Sequence, residues 1–333
     1  YVEDMLKRGV IERSKSNYAS NAFLVEKKSG KKRVVTDYQK LNAKVKADRY
    51  PLPRIDQIVQ EFTNVEYFSK IDLTDGYWQI KQREADRPYT AFHTPTGLYQ
   101  YKVLPQGLSS SPAIFQKIMS TLLNEKLGNF VRVYIDDILI FSSSWEQHLK
   151  HIAWVLSKLQ EAHLVLRKEK CEWGKEEITF LGHKIDGKGV HITDFKIEKI
   201  KNYPIPKNAK EVRRAMGLFN YVRRFIPDFS RIARPINDLL RDNAKFSWSI
   251  ECQQAWDKLK EKTTHAPVLG FPQSGRPFEL HTDASKTGFG CVLLQRDYGG
   301  NPRIIACQSK SLNEIESRYS AQELEVMCII WVL

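Results

Sequence analysis

The chain has 333 residues, room for roughly two to four compact units, and its 42% hydrophobic and 11% aromatic content excludes a disordered tail. Lysine and arginine outnumber aspartate and glutamate by 52 to 39, and the net charge of +13 suits a polyanionic partner such as nucleic acid or an anionic membrane surface. The cysteines Cys171, Cys252, Cys291, Cys307 and Cys328 are odd in number and lack Cys-x-x-Cys spacing, which argues against a disulfide framework or a thiolate zinc site and for a reducing compartment. No apolar run reaches transmembrane length, and Tyr1-Val2-Glu3-Asp4-Met5 has neither an initiator methionine nor a signal-peptide pattern, so the chain reads as excised from something longer.

Taken from the start, residues 1 to 48 are marked by Lys27-Lys28-Ser29-Gly30-Lys31-Lys32-Arg33, set between two strand-like runs, 22–26 and 33–37. Ser29-Gly30 reads as the turn, so cations collect at one hairpin end, either to grip phosphates or as a solvated loop of charges. Tyr50-Pro51-Leu52-Pro53 breaks the chain and starts a helical stretch with Ile55, Ile58, Val59 and Phe62 on one face. Residues 65–72 form a strand that ends in Asp72 and is followed at once by Leu73-Thr74-Asp75-Gly76-Tyr77-Trp78. Gln106-Gly107 lies in a glycine loop, where backbone can approach a ligand closely. That loop feeds a helix predicted over 113–127, with Ile114, Ile118, Leu122 and Leu123 on its buried side.

Two β-branched, aromatic-rich runs, 131–135 and 138–142, are separated by Asp136-Asp137, which reads as a hairpin tip. Adjacent carboxylates repel and aspartate is depleted in strands, so the pair costs stability unless a cation sits against it; a solvated turn is the alternative. If the strand end at Asp72 lies beside this tip, acids from two distant segments can chelate a hard cation through oxygen, as Mg²⁺ requires.

Residues 145–164 read as an amphipathic helix with Leu149, Ile152, Ala153, Leu156 and Leu159 buried. His148 and His151 share it at a spacing that could hold a metal, but without a third ligand a surface or core role is the expectation. From Thr193 to Phe246 the chain turns helical and basic. Ile197, Ile200, Val212, Ala215, Phe219 and Val222 mark its buried faces, while Arg213, Arg214, Arg223 and Arg224 are either phosphate contacts or ordinary solvated charges. Residues 275–283 form another strand ending in aspartate, followed by the Gly288 and Gly290 turn, the strand 291–295 and a helix that begins near Tyr319.

Asp72 with Tyr77 five residues later, then the stretch from Gln106-Gly107 through Pro112 to Gln116, then Tyr134-Ile135-Asp136-Asp137, resembles the ordered motifs of reverse transcriptases, in particular gypsy-type long-terminal-repeat retrotransposon polymerases. Asp37-Tyr38-Gln39-Lys40-Leu41-Asn42, Phe180-Leu181-Gly182-His183 and the stretch from Tyr221 to Phe229 extend the resemblance over essentially the whole chain. It implies an α+β fold, a right-hand polymerase followed by an incomplete ribonuclease H-like α/β domain. The implied divisions are fingers at 1–48 and 80–110, palm at 49–79 and 111–192, helical thumb at 193–250, a linker at 251–274 and the first part of the ribonuclease H-like domain at 275–333.

The same resemblance implies an RNA-directed DNA polymerase in which Asp72, Asp136 and Asp137 hold two Mg²⁺ ions, with Mn²⁺ as an alternative, and Lys170 donates a proton to departing pyrophosphate. Lys27, Lys28, Arg33, Asp75, Gly76, Tyr77, Gln106 and Gly107 would surround the incoming nucleotide, Tyr77 as a steric gate against a ribose 2′ hydroxyl. Phe180, Leu181, Gly182 and His183 would form the primer grip, and Asp283 and Glu325 the first two acids of a ribonuclease H site whose other two are absent. The implied partners are an RNA or DNA template with its primer and deoxynucleoside triphosphates, with no membrane, in the cytoplasm within a retrotransposon particle. An inactive nucleic-acid-binding relic and a primarily nucleolytic enzyme are the competing readings. The intact set of three acids disfavours the first, and the missing half of the ribonuclease H motif disfavours the second.

Overall fold

The β-branched runs become strands in the computed structural model, which describes residues 1–26, 30, 32–46, 50–53, 58, 62, 64–241 and 245–333. Lys27, Lys28, Ile55 and Val59 lie outside the described residues. The chain divides into two units, Tyr1–Ile58 with Val65–Glu176, and Val59–Asn64 with Glu177–Leu333.

In chain order the first unit contributes β1 (Ile11–Arg13), β2 (Ser20–Glu26), β3 (Lys32–Thr36), β4 (Tyr67–Asp72), β5 (Phe92–Thr94), β6 (Gly97–Tyr101), β7 (Val131–Tyr134), β8 (Asp137–Ser142) and β9 (Glu172–Lys175). They form one sheet in the order β1-β6-β5-β2-β3 and another in the order β7-β8-β4-β9. In the second, Ile71, Val131, Val133, Ile138 and Ile140 pack against Phe115 and Met119 of the helix Ser111–Leu122 and Val155 and Leu159 of the helix Trp145–Glu161. Full burial of each such side chain contributes about 1.5–3 kcal/mol, which is what pins the acid-bearing strands to these helices.

The buried face of the helix Trp145–Glu161 differs from the expected one. Leu149 is 50% exposed and Ala153 is exposed, while His148 is fully buried with Val155 and Leu159. The helix is turned toward His148 because both ring nitrogens find hydroxyl partners, Ser69 on β4 and Ser142 on β8, each at 2.8 Å. The core role expected for this histidine is the one observed. The helix Ser111–Leu122 likewise buries Ala113, Phe115, Gln116 and Met119 ahead of Ile114 and Ile118.

The second unit begins with β10 (Glu177–Phe180), β11 (His183–Asp186) and β12 (Gly189–Ile192), which form their own three-stranded sheet. The unit that holds β4 and β8 ends at Glu176. β12 exchanges backbone hydrogen bonds with Leu269. Gly189 is required there, because a Cβ would stand 2.2 Å from the Leu269 carbonyl oxygen at φ +152°.

Helices Asp194–Lys201, Ala209–Val222, Phe229–Asp238 and Ile250–Thr264 follow. The last lies in the first part of the stretch 251–274 expected as a linker: Ser249 caps the Cys252 amide, and Cys252, Ala255, Trp256 and Leu259 are buried. The unit closes with β13 (Phe278–Ser285), β14 (Gly288–Arg296), β15 (Pro302–Ser311) and the helix Ala321–Val332, whose start is a capping box of Ser320 and Glu323. Among the described residues no helix is long and apolar enough to cross a membrane.

Candidate active site

β4 and β8 run antiparallel, and their register places Asp72 directly opposite Asp137. Residues opposed in this way carry their side chains on one face of the sheet with Cβ atoms about 4.5–5.5 Å apart, and like charges so placed repel. The β7–β8 hairpin closes with Tyr134 opposite Asp137, so its tip is Ile135-Asp136 rather than the two aspartates. Ile135 sits at φ +52°, which turns Asp136 back toward the strand ends.

Asp136 Oδ1 is buried without a hydrogen-bond partner, facing Gly76, where a Cβ would stand 3.1 Å from it. Burial first, then the charges of Asp137 and Asp72, push the Asp136 carboxyl up to about 6. Burial is also the main cause that raises the Asp137 carboxyl, with Lys70 drawing it back down most strongly and Lys170 more weakly. Lys70 lies two residues before Asp72 on β4, with its Nζ 3.6 Å from Glu172 Oε1; it has no place among the site residues expected from the sequence.

Three carboxylates with an orphaned buried oxygen are a donor set of hard oxygens, which fits Mg²⁺ or Mn²⁺ and not a soft thiophilic ion. Among the described residues no three acids, histidines or cysteines are gathered tightly enough to enclose a metal.

Tyr77 occupies the short 3-10 turn Gly76–Gln79 directly after β4 and leans on Phe115 at a ring separation of 5.1 Å. Burial, then the neighbouring charge of Asp136, pushes its hydroxyl up to about 12. The Asp75 side chain is anchored by two arginines: Arg8 holds one carboxylate oxygen at 2.5 Å and Arg167 the other at 3.1 Å. The two guanidiniums outweigh its partial burial and hold its carboxyl below the usual range. Arg167 also donates its backbone amide to the Asp72 carbonyl at 2.9 Å, which leads the chain to the exposed Lys170 near Asp137.

Gln106 and Gly107 are exposed, with Gly107 at φ +94°. Asn42 clamps this loop, its amide nitrogen donating to the Gly107 carbonyl at 3.0 Å and its oxygen accepting from the Ser109 amide at 2.8 Å. Arg33 lies exposed on β3, the edge strand of the other sheet.

In the second unit Phe180 and His183 close the β10–β11 hairpin over a two-residue turn, Leu181 at φ +49° and Gly182 at φ +75°. The Tyr221 hydroxyl donates to the Leu181 carbonyl at 2.5 Å and its ring stacks on His183 at 4.7 Å. Asp283 lies on β13, 3.3 Å from Arg231, and Glu325 is exposed on the last helix while Glu323 is engaged in the cap. Of the four arginines, Arg213 and Arg214 are exposed, but Arg223 is tied to the Ser309 carbonyl at 2.6 Å.

Residues 25–185 match the family described as reverse transcriptase (RNA-dependent DNA polymerase), and residues 248–333 match the RNase H-like domain found in reverse transcriptase. The chain is 40% identical over 336 residues to the retrovirus-related Pol polyprotein from transposon 297 of Drosophila melanogaster, covering 99% of this chain and 31% of that protein. It is 36% identical to the transposon Tf2-3 polyprotein of Schizosaccharomyces pombe, covering 98% of this chain and 24% of that protein. The chain thus spans between about a quarter and a third of these curated relatives. Among solved structures it is similar to the foamy viral protease-reverse transcriptase in complex with dsDNA, at TM-score 0.90 and 27% identity over 99% of this chain and 69% of that one. The same protein in complex with RNA/DNA hybrid matches at TM-score 0.86 and 27% identity, over 99% of this chain and 44% of that one.

Proposed function

This chain belongs to the reverse-transcriptase family, and we propose that it adds deoxynucleotides to a primer 3′ end, directed by an RNA or DNA template. The observation that carries the proposal is the register that sets Asp72 against Asp137, with the orphaned Asp136 carboxylate at the adjoining tip. Reverse transcriptases are metal-dependent as a family, and Asp72, Asp136 and Asp137 are the residues that would hold the ions, Mg²⁺ or Mn²⁺. Ions bound there supply Lewis-acid polarisation of phosphoryl oxygens and lower the pKa of an attacking hydroxyl.

The chain's own groups do the rest. Tyr77, buttressed by Phe115, is the steric gate of this proposal, its ring excluding a ribose 2′ hydroxyl. The exposed Lys170, whose charge acts weakly on Asp137, would protonate leaving pyrophosphate, while Gly76, Gln106 and Gly107 would offer backbone to the nucleotide. Phosphoryl transfer of this kind needs positioning and electrostatic stabilisation but no covalent nucleophile. In the second unit the Phe180–His183 turn would contact the primer, and the exposed Arg213 and Arg214 would contact phosphates without reading sequence. Complexes of the foamy viral relative with dsDNA and RNA/DNA hybrid, and the net charge of +13, support nucleic acid as the partner.

Asp283 and Glu325 are candidates for two acids of a ribonuclease H-type site. The test is extension of a labelled DNA primer on an RNA template with Mg²⁺. Wild type should extend it and Asp137→Asn should not; equal synthesis by both would remove the metal assignment.

A further inference from the structure

The helix Ser111–Leu122 carries Gln116 on its buried face, 2% exposed, between Phe115 and Met119. A buried primary amide costs stability unless its polar atoms find partners. Here they do: Nε2 donates to the Val133 carbonyl and to Ser120 Oγ, both at 3.0 Å, and Oε1 accepts from the Ile135 amide at 2.7 Å. Val133 and Ile135 flank Tyr134, so one side chain grips the end of β7 and the first residue of the acidic tip. Ile135 is β-branched and sits at φ +52°, a conformation such residues adopt only when their surroundings impose it.

We propose that Gln116 is a positioning residue for the acidic tip: by holding Ile135 in its left-handed conformation it fixes the direction in which Asp136 and Asp137 present their carboxylates to a divalent cation. The inference rests on the reading of the three aspartates as a metal site. A primary amide can donate to one backbone carbonyl and accept from a backbone amide two residues on. Methionine does neither, and ionised glutamate keeps only the acceptor while adding a carboxylate near Asp136. The same helix starts at the end of the Gln106 loop, where Ser111 Oγ donates to the Pro105 carbonyl at 2.7 Å. Gln116 therefore ties the acids to the element that carries the candidate nucleotide loop.

The test compares wild type, Gln116→Met, Gln116→Glu and the double variant Gln116→Met with Ile135→Asn. Mn²⁺ binding is followed by the free-ion spin-resonance signal, primer extension is titrated with Mg²⁺, and thermal melts monitor folding. Gln116→Met should raise the half-saturating ion concentration in both titrations by about tenfold to a hundredfold, with KM for template–primer unchanged. Asparagine at 135, which accepts the left-handed conformation more readily, should restore part of that loss. Should Gln116→Met fail to fold, Gln116→Glu carries the comparison, because it keeps the volume and still loses the donation to Val133. A variant that melts lower but whose folded molecules bind Mn²⁺ and respond to Mg²⁺ as wild type does would make Gln116 a core residue and overturn the inference. A wild type that neither binds Mn²⁺ nor extends primers would overturn the metal-site reading, and the inference with it.

Discussion

His148 lies beneath the acid-bearing sheet and should make the first unit sensitive to acid. Its ring joins Ser69 on β4 to Ser142 on β8, and Ser142 Oγ also meets His151 Nδ1 at 2.7 Å. A neutral imidazole satisfies this arrangement by donating through one nitrogen and accepting through the other; a protonated ring loses the acceptor. Burial first, then the neighbouring His151, lowers the His148 pKa from 6.5 to about 4. Between those values the unfolded chain binds a proton that the folded chain refuses, so stability present above 6.5 is lost as pH falls toward 4. At about 1.4 kcal/mol per pH unit, the loss reaches about 2 kcal/mol near pH 5, or about 4–8 °C in Tm for a unit of this size. The assay is thermal unfolding of wild type and His148→Gln, which keeps a donor and an acceptor but does not titrate, from about pH 7.5 to about pH 5. The difference in Tm between the two should shift by that amount in favour of the variant as pH falls. A difference that stays constant over the range would refute a neutral, buried His148.

Other consequences are as direct. Because Asp136 is raised to about 6 by burial and by its two acidic neighbours, protons should compete with the divalent ion below that value. The half-saturating Mg²⁺ for extension should rise by up to about tenfold per pH unit below 6, and an unchanged Mg²⁺ requirement near pH 5 would count against the raised carboxyl. Tyr77→Ala should admit ribonucleotides, measured as the ratio of kcat/KM for deoxy- over ribonucleoside triphosphates; the same ratio in the variant would remove Tyr77 from the gate. Gly189→Ala, forced into the Leu269 carbonyl, should destabilise the second unit by about 2–3 kcal/mol in denaturant unfolding.

Much of the site was legible because the residues that carry it are local in sequence or end a strand. β-branched, aromatic-rich runs placed β4, β7 and β8 within a residue or two of where they stand, and a strand that ends in Asp72 must present that acid at a sheet edge. What the sequence could not show is contact across distance. Asp75 meets Arg8 and Arg167 from 67 and 92 residues away, so its role as an anchor has no signature in spacing. Lys70 beside Asp137 depends on the strand register, which only the folded sheet reveals. Gln116 did leave a signal, an amide on a buried helix face between Phe115 and Met119, where a buried polar group must have a partner. His148 misled the assignment of the face of its helix because a histidine with two hydroxyl partners can be buried as deeply as leucine, which exposed Leu149 instead.

The measurement that tests the central claim most directly is single-nucleotide extension of a DNA primer on an RNA template, under Mg²⁺ saturation, by wild type and Asp72→Asn. Asp72 reaches the site from β4, whereas Asp136 and Asp137 belong to the β7–β8 hairpin, so its loss tests the convergence itself and not merely the tip. Wild type should extend the primer and Asp72→Asn, folded to the same melting temperature, should lose the activity by about a thousandfold or more, equivalent to about 4 kcal/mol of transition-state stabilisation. Extension by Asp72→Asn at the wild-type rate would contradict a single site built from the three carboxylates.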